Sequence, residues 1–137
     1  MNPVPLLDLI AKHESENAAA RQGVSSSYDV VVEQASRVYP PVKPITTMTI
    51  SEVLNWQRKA IAETKKVYGS SYSAAGRYQV IRKTLQSLGI GGKILFDKET
   101  QDNIGTMLLC RRGWDMWIEH KLSTAAFADN LSKEWAS

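Results

Sequence analysis

One cysteine is all that the 137 residues provide, so no disulfide can form within the chain and no cysteine cluster can hold a metal. Cys110 stands beside Leu108 and Leu109, and that apolar setting points to a buried structural thiol. The histidines, His13 and His120, are far apart and have no companions at metal-ligand spacing, which favours surface or packing roles over a metal site. Long apolar runs are missing too. The N-terminal Met1-Asn2-Pro3-Val4-Pro5 has no charged region ahead of an apolar core, so neither a signal peptide nor a transmembrane span is read, and a cytoplasmic chain is expected until something releases it.

Charge of one sign is also scarce. Seventeen basic residues against 14 acidic ones leave a net charge of +3, a mild excess suited to anionic surroundings but too balanced for a nucleic-acid-binding domain. The cations fall in scattered pairs such as Arg58-Lys59, Lys65-Lys66, Arg82-Lys83 and Arg111-Arg112, the pattern of solvated helix faces. With 43% hydrophobic and 23% charged residues, the composition excludes disorder and fits one ordinary globular domain over 1–137.

What is there reads mainly as helix, with no internal repeat. Pro5 suits a first turn, and Leu6, Ile10 and Glu14 follow at i, i+4 spacing, so Glu14 continues an apolar stripe. After Asn17 the pattern dissolves into Ala, Gln, Gly and Ser, and Tyr28-Asp29-Val30-Val31-Val32 is a β-branched run expected to form a small strand or hairpin. The three prolines between Tyr39 and Pro44 require an extended connector. Thr49-Ile50-Ser51-Glu52 matches a capping box, opening a helix that runs towards Lys66.

A polar loop from Gly69 to Gly76 precedes a helical pattern through Val80, Ile81, Leu85 and Leu88, stopped by Gly89 and the Gly91-Gly92 pair. Further helices are expected from Asp97 to about Gly113, from Trp114 to His120, and through Phe127, Leu131 and Trp135. Trp114, Trp117 and Trp135 sit at helical spacings and read as core rather than as a sugar platform. The fold class is α+β, mostly α.

Two segments stand out chemically: His13-Glu14-Ser15 at the end of the first helix, and Gly76-Arg77-Tyr78-Gln79, read as the start of a middle helix. A glutamate closing an apolar stripe is partly desolvated, which disfavours its charged form and raises its pKa, as an acid working near neutrality requires. The same residue also has a plain reading as an amphipathic boundary.

Taken together, Asp8 through Glu14, Tyr28-Asp29-Val30-Val31-Val32, Ala75-Gly76-Arg77-Tyr78-Gln79, Phe96 through Gln101-Asp102, Arg112-Gly113 and Trp135-Ala136-Ser137 agree in order and approximate spacing with a known family. The chain resembles the lysozyme-like peptidoglycan-cleaving enzymes of tailed phages, closest to the lambda-type lytic transglycosylases. The resemblance implies a lysozyme-like fold with a small β hairpin flanking a cleft. It implies Glu14 as the catalytic acid, the Tyr28-Asp29 element as one cleft wall, and Gln79 reaching the sugar from the other. Ser15, Arg77 and Tyr78 join the expected substrate-binding residues.

In such a transglycosylase the acid protonates the glycosidic oxygen between N-acetylmuramic acid and N-acetylglucosamine, and the muramic acid's 6-hydroxyl closes onto its anomeric carbon. One carboxylate then serves as acid and base, and no cofactor or metal is implied. Hydrolysis would need a second carboxylate. Asp29 is the first candidate for it, and Glu16 and Glu33 are weaker ones; Asp29 also reads as a turn-closing residue bonded to backbone amides. A non-enzymatic virion component that grips peptidoglycan is the remaining reading.

The expected partner is therefore the peptidoglycan glycan strand, met by a monomer unless the chain belongs to a virion, after release from the host cytoplasm to the cell wall. The family's chain continues past Trp-Ala-Ser into a segment containing Gly and Tyr, whereas this sequence stops at Ser137. The resemblance thus leads one to expect either a shortened chain or a site lacking one wall.

Overall fold

A computed structural model describes residues 2–135. Helix α1, Val4–Ala11, starts on a proline turn and buries Leu7, Ile10 and Ala11. The helical path does not stop at Asn17 as the apolar pattern suggests. It passes through a π-helical turn, Lys12–Glu16, into α2, Asn17–Gln22. The Ala18-Ala19-Ala20 run that blurs the stripe is a strong helix former. Gly23, at φ 68°, ends the helix, and Val24 N–H returns to Ala19 O at 3.1 Å, closing the turn with a left-handed cap.

The expected strand or hairpin at Tyr28–Val32 is absent. Ser27–Asp29 is a 3-10 turn capped by the Ser26 hydroxyl, Val30 and Val31 are buried in extended conformation, and the chain then enters α3, Glu33–Val38. Pairing is limited to isolated antiparallel bridges, Val31 to Ala75, Ala75 to Val80 and Thr49 to Leu95; among the described residues no strand is longer. A side chain explains why no partner strand is needed. Gln22 donates from Nε2 to Val31 O at 2.6 Å and accepts Val31 N–H on Oε1 at 3.2 Å, satisfying both backbone groups that a second strand would otherwise pair.

The proline-rich connector is free of helix, as its prolines require, but bends at Val42 and Lys43, and leads through a 3-10 turn, Ile45–Thr47, into α4, Ile50–Tyr68. The capping box forms: Thr49 Oγ1 accepts Glu52 N–H at 3.2 Å, while Glu52 Oε1 accepts Thr49 N–H at 3.1 Å. Val53, Trp56, Gln57, Ala60 and Thr64 give α4 a buried face. Buried Gln57 donates to the carbonyls of Ser73 and Val80, both at 2.9 Å, and so pins the following loop to the helix.

Helix α5 spans only Arg82–Ser87, because Val80 and Ile81 belong to the bridge and the extended approach to the helix. Helix α6, Lys98–Arg111, is N-capped by Asp97 and buries Gln101, Ile104, Gly105, Leu108 and Leu109. Cys110, expected inside, is exposed: one residue past Leu109, the helix has rotated its side chain off the core face. The short α7, Trp114–Ile118, and α8, Thr124–Ser132, close one end. There Trp117 stacks on Phe127 with centroids 5.1 Å apart, and Trp114 packs beside both.

The core joins α1, α4 and α6 through Leu7, Ile10, Val53, Trp56, Ile104 and Leu108. The architecture is mostly helical, and among the described residues no helix is long and apolar enough to cross a membrane. Of the Trp135-Ala136-Ser137 sequence, Trp135 lies just beyond α8, whereas Ala136 and Ser137 lie outside the described residues.

Candidate active site

Glu14 sits in the π-helical turn between α1 and α2. Turns of this kind widen a helix by one residue, shift side chains off the regular stripe and recur at functional sites. The carboxyl is half-buried, and burial raises its pKa, with His13 acting weakly in the opposite direction. The desolvation expected from the apolar stripe is therefore present.

Ser15 is buried and turned inward, donating to Arg77 O at 2.6 Å and, more weakly, to Ala11 O at 3.3 Å. This bond brings the segments singled out in the sequence, 13–15 and 76–79, together. Since Ser15 is spent on the backbone, it serves to fix the turn beside Glu14. Among the described residues no group of three or more His, Cys, Asp or Glu side chains is placed to hold a metal ion.

Residues 76–79 form a turn rather than the start of a helix. Gly76 has φ 84° and Gln79 φ 51°, and the turn is closed by the Ala75–Val80 bridge. A left-handed glutamine is uncommon and costs conformational energy, so its surroundings must hold it. Gln79 Nε2 does so by donating to Gly76 O at 2.9 Å and to Val30 O at 3.3 Å. The amide oxygen makes no hydrogen bond among the described residues and is left as an acceptor.

The other expected binders face the protein. Arg77 donates to Ser27 Oγ at 2.8 Å, pairs with Asp8 at 3.1 Å and Glu16 at 3.2 Å, and lies over the Tyr28 ring at 5.1 Å. Tyr78 is buried, and its hydroxyl reaches Asp102 Oδ1 at 2.7 Å. Tyr28 reaches the same oxygen at 2.8 Å. Burial, followed by the bond to Asp102 and its negative charge, pushes the Tyr28 phenol up to about 12, and Tyr78 is raised for the same reasons. These side chains tie the 27–29 turn, the 76–79 turn and α6 together.

Sequence reasoning gave no role to Gln101 and Asp102, the residues that organise this junction. Gln101 donates to Tyr28 O at 3.0 Å and Phe96 O at 2.9 Å, and accepts Arg77 N–H at 2.9 Å. A signal was available: a glutamine three residues before Ile104 lies on the apolar face of α6, where an amide must find buried partners. Trp135 adds a further tie, its indole N–H meeting Tyr78 O at 2.8 Å.

Asp29 accepts Thr46 N–H at 3.0 Å, the turn-closing role the sequence offered as its plain alternative. It also lines a cavity of about 700 Å³ that opens between the end of α2, α3 and the proline connector. Glu14 is not among the lining residues, but the cavity and the turn share one segment. Val31 lines the cavity, while neighbouring Val30 O accepts Gly76 N–H at 2.7 Å.

No protein-family model, curated protein or solved structure matches the chain.

Proposed function

We propose that this chain has a lysozyme-like fold and cleaves the β-1,4 bond between N-acetylmuramic acid and N-acetylglucosamine in bacterial peptidoglycan, with Glu14 as the acid. The observation that carries the reading is a half-buried glutamate with a raised pKa, held in a π-helical turn that Ser15 bonds to the 76–79 loop. A carboxylic acid that stays protonated at higher pH can donate to the departing glycosidic oxygen. Gln79 Oε1 is available to accept a hydrogen bond from a sugar hydroxyl or amide.

Lytic transglycosylation suits the site better than hydrolysis. Transglycosylation needs one carboxylate to donate a proton to the leaving oxygen and then take one from the 6-hydroxyl as it attacks the anomeric carbon. The possible second carboxylates are already engaged: Asp29 with a backbone amide, Glu16 with Arg77, and Glu33 with Arg37 at 2.9 Å. Asp29 remains the relevant group for a hydrolytic alternative because it also faces the cavity.

The test is mass spectrometry of fragments released from purified peptidoglycan by the wild-type chain and by Glu14→Gln. Anhydro-muramic ends from the wild type alone are expected. Reducing muramic ends would replace transglycosylation by hydrolysis and make Asp29 the next residue to change. Absence of fragments, or equal release by both proteins, would overturn the assignment of Glu14.

A further inference from the structure

We infer that the cavity beside α3 binds the acidic stem peptide carried by the muramic acid at the cleavage point. This inference rests on the peptidoglycan reading above and names the part of the substrate the cavity takes. The floor is apolar, with Val24, Val31, Pro41 and Ile45 among its lining residues, and the cations Arg21, Arg37 and Lys43 line it as well. Such a surface accommodates alanine methyl groups while meeting carboxylates around them.

Against the cations Arg21, Arg37 and Lys43 the lining sets the acids Asp29 and Glu33, which leaves an excess of one positive charge. Asp29 is held by the Thr46 amide, and Glu33 by Arg37. Arg21 makes no salt bridge among the described residues. The Arg37–Glu33 pair is exposed on both sides, 65% and 50%, and Lys43–Glu52 is similarly open at 44% and 47%. Exposed pairs of this kind contribute little, so Lys43 can leave Glu52, which is outside the cavity lining, for a ligand carboxylate, while Arg37 stays balanced by Glu33.

Position argues for the peptide over another sugar ring. Glu14, the acid that meets the scissile oxygen, is not among the cavity's lining residues, and the peptide leaves the same muramic ring from the lactyl ether on C3, two carbons from the C1 that bears the scissile bond. The shared Val30–Val31 segment joins cavity and turn, so one ring can reach both: Val30 faces the turn through its carbonyl, whereas Val31 lines the cavity. A rigid Gln22 clamp on Val31 keeps this divider in place.

The test uses the full chain and an N-acetylated stem tetrapeptide of alanine, γ-linked glutamate, diaminopimelate and alanine, which carries more carboxylates than amines. Titrated by amide NMR, it is expected to shift Val24, Val31 and Ile45. Arg21→Gln and Lys43→Gln, both exposed positions, should each weaken binding by roughly tenfold, the scale of one charge-assisted contact. In parallel, the ratio of cleavage rates on peptide-bearing and peptide-stripped strands should fall in both variants.

Shifts at these amides from a peptide-free oligosaccharide, with none from the tetrapeptide, would make the cavity a sugar subsite and overturn the inference. So would tetrapeptide binding unchanged by both substitutions, or no binding at all. Because the titration needs no turnover, these failures are separate from failure of the cleavage reading, which is seen when wild-type protein releases no fragments from peptidoglycan.

Discussion

Asp102→Asn isolates the charge at the centre of the junction while keeping its shape. In the native protein, one carboxylate oxygen accepts from Tyr78 at 2.7 Å and from Tyr28 at 2.8 Å. A hydrogen bond to a charged group contributes about 1 kcal/mol more than one between neutral groups. With both bonds affected and Asp102 only half-buried, the expected loss is about 2 kcal/mol, or roughly 8 °C in Tm for a domain of this size. Thermal unfolding at neutral pH measures it directly.

The phenols supply a second readout. Tyr28 titrates at about 12, mainly through burial and then through Asp102, so removing the charge should lower its value while leaving it above that of a free tyrosine. Because the folded pKa is raised, the stabilisation is fully present below the unfolded value and is lost as pH rises from about 10 towards about 12. The alkaline decline should therefore be shallower in Asp102→Asn, and the gap from wild type should narrow. An unchanged Tm together with an unchanged ultraviolet phenolate titration would refute the role assigned to Asp102.

Further outcomes follow from other sites. Burial raises the Glu14 pKa, so cleavage should decline as pH rises through that value; Glu14→Gln should be more stable than wild type at neutral pH, with the difference vanishing below the ordinary carboxylate range. Equal stability across that range in calorimetry would contradict the desolvation. Gly76→Ala places a methyl group against Gln101 Oε1 and within 3.1 Å of the Phe96 ring at a φ of 84°, and should cost about 2–3 kcal/mol in denaturant unfolding. Gln79→Ala should reduce turnover while the thermal transition survives; loss of that transition would make Gln79 structural only. Cys110, exposed with its pKa raised chiefly by partial burial, should be labelled slowly by a thiol reagent in the folded protein, and complete protection until unfolding would disprove the exposure.

Much of the helical frame was legible because its signals are local. Thr49 and Glu52 announce α4 through a reciprocal cap, and Asp97 announces α6 by accepting Thr100 N–H at 3.0 Å. The desolvation of Glu14 was legible in outcome from Leu6 and Ile10, although the turn it sits in displaces it from their i, i+4 register. The π-helical turn that carries it was not, because its hydrogen-bond shift leaves no mark in residue spacing. Alanines hid α2, since they favour helix without marking a face.

The Val30–Val32 run misled for a different physical reason. β-Branched residues report a fit to extended, buried backbone, and Val30 and Val31 are extended and buried. Whether such a segment becomes a strand depends on what supplies its hydrogen bonds, and here that is the distant side chain of Gln22 together with single contacts to residues 74–76. The same dependence on distant partners hid the inward turn of Tyr78 and the burial of most of Arg77. Both look like free recognition groups until Asp102, Asp8, Glu16 and Ser27 are placed around them.

Gln101 extends the dynamics of α6 into residues that secondary structure alone would class as loop. Its amide occupies Tyr28 O, Phe96 O and Arg77 N–H simultaneously, so deuterium cannot replace the Arg77 amide proton until that side chain lets go. Arg77 should exchange with the slow amides of α6, whereas Ser70 and Ser71, a few residues upstream and exposed, exchange at near-free rates. The turn that Ser15 bonds to would then open only with the helix behind it, giving a loop the persistence of a core element.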